Sequence, residues 1–257
     1  MTASAPARPP LGVALFTVQR EAARDFRGTL AALAALGYRE VDMYVYAAGL
    51  AWTPAETRRA LDDAGLACPS ARVTLATLYR AWDRTLDGAA ALGARYVTVA
   101  NIPAEERSTL VDWRELVALY ARCGAAARAR GLTLCHHNHE FEFQPVEGAV
   151  PWELLLAGTP ADDVRVQADV HWLRAGGRDP VREIGRLGAR VASLHLKDTG
   201  ADGAIATVGR GTTDFAAVLR AAAAAGVRHA FVEEDAPLDP MAAVRAAAEH
   251  LRALSDG

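Results

Sequence analysis

The sequence predicts a single-domain α/β fold, a closed parallel (β/α)8 barrel, and three observations carry that expectation. Eight short apolar or β-branched runs alternate with eight longer Ala/Leu/Arg-rich segments of helical period, the pattern of repeated βα units. The chain has 257 residues, 51% of them hydrophobic, enough for one large core. Eight units in about 245 residues match the size of a closed barrel better than an open doubly wound sheet, and no linker-like stretch divides them.

Residues 1–10 hold three prolines and three alanines without periodicity and read as a disordered lead-in, so the domain is taken as 11–257. Strands are expected at 12–18 (GVALFTV), 39–45 (REVDMYV), 68–75 (CPSARVTL), 96–100 (YVTVA), 132–137 (LTLCHH), 164–169 (VRVQAD), 191–197 (VASLHLK) and 229–234 (HAFVEE). Each is short and largely apolar, as a strand covered on both faces should be. Helices are expected between and after them at 22–36, 54–65, 78–93, 109–130, 151–158, 179–188, 214–225 and 239–254. Thr53-Pro54 and Asp239-Pro240 place a capping side chain before a proline in the first turn. Glycine stops close several helices, as in AALGY, DAGL, ALGA, ARGL and AAGV.

Composition narrows the function. Lys+Arg 28 against Asp+Glu 31 gives a net charge of -3, which offers nothing to a polyanion and argues against nucleic-acid binding. No window approaches the ~18 uninterrupted apolar residues needed to cross a bilayer, and MTASAPARPPLG lacks the apolar core of an export signal. Cys68, Cys123 and Cys135 lack a Cys-x-x-Cys spacing and cannot all pair, so a reducing cytoplasm suits a soluble, unexported chain. Nothing in the sequence argues against a homo-oligomer.

In a (β/α)8 barrel the active site lies at the C-terminal strand ends. Here those ends are uneven: strands one to four carry few ionisable groups, whereas strand five runs into HHNHEFEF, strand six ends at Asp169 before His171-Trp172, strand seven carries His195 and Lys197-Asp198, and strand eight ends in Glu233-Glu234-Asp235. Five of the seven histidines, His136, His137, His139, His171 and His195, fall in or just after strands five to seven. Glu142, Asp169 and Glu233 around one mouth would repel one another, and a divalent cation removes that cost. With His195 they make a mixed oxygen and nitrogen donor set suited to Mn, Mg, Co or Zn. Taken singly, each carboxylate reads as a helix cap or solvated loop residue, and His195 as a satisfied core histidine.

At these residues the sequence resembles the sugar phosphate isomerase/epimerase family, the xylose isomerase-like TIM barrels. GVALFTVQ, HHNHEFEF, ADVHWLRAGGRDP, SLHLKD, VGRGTTDF and FVEED match its landmarks in order over nearly the whole domain. The resemblance implies one divalent metal held by Glu142, Asp169, His195 and Glu233, with Glu142 and Glu233 also moving a proton as acid and base. Glu142 is favoured over Glu140 by the pattern HNHxxEF, and Glu233 over Glu234 because it directly follows the apolar run. Three departures are visible: Arg72 where a histidine is common, Asp42 for a frequent glutamate, and Arg210 in a Gly-x-Gly turn that often holds an acid. These are expected on the substrate side, leaving the metal ligands alone.

The implied activity is isomerisation or epimerisation of a keto sugar or a polyol-derived ketone, phosphorylated or not, through an enediolate. His137, His139, His171, Trp172 and Lys197 are candidate substrate contacts, and Arg210 a candidate clamp for an anionic group. A lyase or dehydratase sharing the first step is the alternative, told apart by product mass. The related DNA-repair endonuclease barrels need more histidines on strands two to four than this chain has.

Overall fold

A computed structural model describes residues 9–46 and 52–254. The expected lead-in lies outside the described residues except for Pro9 and Pro10, as do residues 47–51 and 255–257. In chain order the elements are β1 (Leu11–Ala14), α1 (Gln19–Arg24), α2 (Phe26–Ala35), β2 (Glu40–Tyr44), α3 (Pro54–Asp63), β3 (Ala67–Val73), α4 (Leu75–Arg80), α5 (Trp82–Leu92), β4 (Tyr96–Val99), α6 (Leu110–Ala129) and β5 (Thr133–His137). They continue with α7 (Pro151–Gly158), β6 (Val164–Asp169), α8 (Val170–Ala175), α9 (Pro180–Leu187), β7 (Val191–Leu196), a small hairpin β8 (Asp198–Thr199) and β9 (Ile205–Ala206), α10 (Phe215–Ala224), β10 (Ala230–Val232) and α11 (Pro240–Ala253).

Eight strands close into one parallel barrel in the order β1-β10-β7-β6-β5-β4-β3-β2. All eight expected strands are present, several shorter than their apolar runs: β1 stops at Ala14, and residues 15–18 form a turn. Two expected helices are each broken in two. Asp25 divides α1 from α2 because its carboxylate caps α2 by accepting from the Gly28 N–H, and Ala81, with φ -148°, separates α4 from α5. Composition hides both breaks, since Asp and Ala also occur within helices.

The start and stop signals read from sequence are realised. Thr53 and Glu56 form a reciprocal capping box ahead of α3, and Asp239 caps α11 through the Ala242 N–H. Gly65 and Gly93 sit past the ends of α3 and α5 with φ +69° and +79°, a conformation that costs a side-chain-bearing residue about 1 kcal/mol or more.

The two faces of the strands divide the chemistry. Outward positions such as Val41, Val97, Leu134 and Leu194 are 0% exposed and pack on the helices with Leu30, Leu33, Leu61 and Leu86, also 0%. Each such side chain contributes roughly 1.5–3 kcal/mol through removal from water. Many inward positions are instead polar: Asp42, Ser70, Arg72, Thr98, His137, Gln167, Asp169, Ser193, His195 and Glu233 are all buried. The three cysteines are free and buried, with Cys135 packed beside Tyr96 and Ala192, as expected of a small apolar filler.

Candidate metal centre

Four inward-facing side chains meet at the C-terminal end of the barrel. His137 ends β5, Asp169 ends β6 beside His195 of β7, and Glu233 follows β10 directly. One ligand atom from each lies within 4.8 Å of every other, and all four residues are buried. Asn138 helps align the strand ends: its Oδ1 accepts from the Asp169 N–H at 2.9 Å and its amide donates to the Asp169 carbonyl at 3.4 Å.

Glu142 is not in this group, and the strand-five place in it is taken by His137, read from sequence as a substrate contact. Strand alternation supplies the reason. His136 faces outward, with Nδ1 3.0 Å from the Tyr120 hydroxyl of α6, whereas His137 faces into the barrel. Glu142, on a 3-10 turn after β5, follows His136: one oxygen lies 3.0 Å from His136 Nε2 and the other accepts from the His139 N–H at 2.8 Å. Burial raises its pKa, against the pull of His136. Both oxygens are thus occupied in fastening the loop.

Asp42 and Arg72, expected on the substrate side, bind two residues of this group. Asp42 Oδ2 lies 2.8 Å from His195 Nε2, while His195 Nδ1 lies 2.9 Å from Glu233 Oε2. Arg72 Nη1 donates to Glu233 Oε1, and its guanidinium sits 5.6 Å from both the Phe16 and Tyr44 ring centres. Lys197, 1% exposed, places Nζ 3.0 Å from Glu233 Oε2, 3.4 Å from Asp169 Oδ2 and 3.0 Å from Asp235 Oδ1.

The electrostatics follow from these contacts. Burial alone would lower the His195 pKa, but Glu233 and Asp42 outweigh it and push it up to about 9. Burial would raise Glu233, yet Lys197, His195 and Arg72 hold it well below the usual carboxylate range. Asp169 is raised, its burial exceeding the help of Lys197 and His195. Burial, with His195 and His139 nearby, lowers His137 and keeps that ring neutral.

Of the remaining expected contacts, His139, His171, Trp172 and Lys197 lie around these four residues. The His139 ring centre is 5.0 Å from that of His137 and 5.4 Å from Trp172, and burial pushes its pKa down to about 3. His171 Nδ1 is 2.9 Å from the Thr199 hydroxyl, its pKa lowered to about 4 by burial and then Lys197. Lys197 Nζ lies 5.2 Å from the Trp172 ring centre. His139 Nδ1 and Trp172 Nε1 are buried without a hydrogen-bond partner. Phe141 offers no free face, being stacked on His139 at 5.3 Å and covered by Arg107 at 3.5 Å. Arg210 is exposed and lines a groove of about 400 Å³ with Thr207, Glu234, Pro237 and Leu238.

A divalent cation fits these residues. Asp169 Oδ2 is a buried carboxylate oxygen with no hydrogen-bond partner, and two imidazoles with two carboxylates make a balanced donor set. Asp42 holds His195 as a carboxylate commonly holds a metal-binding imidazole. Sequence reading missed the roles of Asp42, Arg72, Asn138 and Gln167. The signal for two of them was a charged residue inside an otherwise apolar strand, which must find a buried partner.

The family described as "Xylose isomerase-like TIM barrel" matches residues 30–254, and the chain belongs to that family. Among solved structures, a sugar phosphate isomerase/epimerase from Parabacteroides distasonis ATCC 8503 is 23% identical, with 98% of this chain and 96% of that one covered and a TM-score of 0.83. An L-ribulose 3-epimerase is 18% identical, with 96% and 95% covered and a TM-score of 0.73. The IOLI protein, solved with a bound zinc atom, is 14% identical, with 95% and 97% covered and a TM-score of 0.72. No curated protein matches the chain. No helix among the described residues is long and apolar enough to cross a membrane.

Proposed function

We propose that the chain is a divalent-metal-dependent isomerase or epimerase of a small keto sugar or related polyhydroxy ketone. The observation that carries this reading is the buried group His137, Asp169, His195 and Glu233 at the barrel mouth. Two imidazoles in the set favour Mn, Co or Zn over Mg, which prefers oxygen ligands. Such an ion, when bound, supplies charge to a carbonyl and a neighbouring hydroxyl and acidifies the C–H between them.

The chain's own groups then divide the work. Glu233 is the carboxylate of the expected acid/base pair that reaches the mouth, and it is assigned the proton next to the carbonyl. Glu142, engaged by His136 and the His139 N–H, holds the loop in place. His139, kept neutral by burial and with Nδ1 unpartnered, is assigned a hydrogen bond to a substrate hydroxyl. The Lys197 ammonium balances negative charge building on the substrate oxygen, and the Trp172 Nε1–H donates to a hydroxyl.

Elimination is the second reading: a probable 3-DHS dehydratase, 11% identical with a TM-score of 0.72, shares the fold. A panel of keto sugars and inososes incubated with Mn or Co in heavy water separates the outcomes. Deuterium next to the carbonyl at otherwise unchanged mass is expected. Loss of water or an aglycone assigns a lyase, and conversion without any label removes Glu233 from proton transfer.

A further inference from the structure

One alternate position deeper in the barrel than the ligand group lies a second polar layer. Ser70 on β3, Thr98 on β4, Gln167 on β6 and Ser193 on β7 are all 0% exposed. The Gln167 amide nitrogen donates to Ser193 Oγ at 3.2 Å and to Ser70 Oγ at 3.4 Å. Ser70 Oγ is in turn 3.2 Å from Thr98 Oγ1, so three strands contribute hydroxyls to one network. With both amide hydrogens used, the Gln167 carbonyl oxygen is turned toward His137 Nδ1, 3.1 Å away.

A carbonyl oxygen only accepts, so Nδ1 carries the ring proton. A neutral imidazole has just one, and Nε2 is left with its lone pair. Nε2 is the nitrogen that faces Asp169 Oδ2, at 4.0 Å. We propose that Gln167 is a positioning residue which, held by the hydroxyls of Ser70 and Ser193, sets His137 in the tautomer able to ligate a cation through Nε2. The proposal rests on the reading of the four-residue group as a metal centre and adds what orients its strand-five ligand. The opposite amide orientation would put N–H groups against Nδ1 and the ring proton on Nε2, where it blocks ligation.

Histidine-labelled nitrogen-15 NMR of the metal-free protein reads the tautomer directly, with a protonated Nδ1 and a bare Nε2 expected for His137. Titration with Co²⁺ is expected to show roughly 10–100-fold weaker binding in Gln167→Met, which keeps the volume and loses the acceptor. Gln167→Glu restores an acceptor at that place and is expected to recover most of the affinity. A wild-type His137 protonated on Nε2 overturns the proposal, as does a folded Gln167→Met of native affinity. Should Gln167→Met unfold, the wild-type spectrum still decides. Absence of Co²⁺ binding by wild type defeats the metal reading, and it is told apart from failure of the Gln167 proposal because the tautomer is measured without metal.

Discussion

His137 and Glu142 stand five residues apart, and their fates depend on which way each side chain faces. If His137 and Asp169 belong to the metal group and Glu142 does not, Asp169→Ala and His137→Ala abolish stoichiometric Co²⁺ binding while Glu142→Ala keeps it. Elemental analysis after dialysis checks this. Glu142→Ala instead leaves His136 and the His139 N–H without their acceptor, a loss of about 1–3 kcal/mol readable as a lower urea midpoint. The buried histidines also predict a pH profile for the metal-free protein. His195, with a native pKa of about 9 against about 6.5 unfolded, contributes stability fully present below 6.5 and lost as pH rises through 9. His139 and His171 are depressed to about 3 and about 4, so below 6.5 the unfolded chain binds protons that the native one refuses, and stability falls toward acid. Urea midpoints in EDTA are expected to peak near pH 6.5, and a midpoint rising steadily to pH 9 would contradict the His195 environment.

The loops at the mouth are held by single carboxylates. Asp198, at the start of β8, accepts from the Thr199 and Thr213 N–H groups with one oxygen and from Gly209 and Gly211 with the other. Those four bonds shape the turn that carries Arg210. Asp198→Ala is expected to speed amide exchange across residues 209–213 while leaving the barrel strands protected, a pattern hydrogen exchange resolves by segment. Elements were legible where a local signal stood alone, as with the Thr53 capping box and the Asp239 cap. They were hidden where the decisive partner was itself structural: Asp25 breaks a helix by capping the next one, and α8 begins because Asp169 accepts from the Trp172 N–H at 3.0 Å. Asp169 thus caps a helix with one oxygen and leaves the other for the site, so the two readings of that carboxylate, cap and ligand, are compatible.

For the whole molecule, a ligand that binds only the closed barrel adds to its stability. Mn²⁺ or Co²⁺ at a hundred times its Kd is expected to contribute about 2.7 kcal/mol, a Tm rise of roughly 5–10 °C for a domain of this size. Calorimetry with and without EDTA checks it, and Asp169→Ala should show no rise. The sequence by itself determined the closed barrel, the strand order implied by repeated βα units, and the clustering of chemistry after strands five to eight, because periodicity, caps and the strand-end rule act over a few residues. Asp169, His195 and Glu233 were legible for that reason. Only the tertiary structure decided that His137 joins them in place of Glu142, that Asp42 of β2 and Arg72 of β3 grip His195 and Glu233, and that Gln167 faces His137. Those pairings join residues as many as 161 apart in the chain; they depend on which inward side chains meet across the closed barrel, and no local pattern states that.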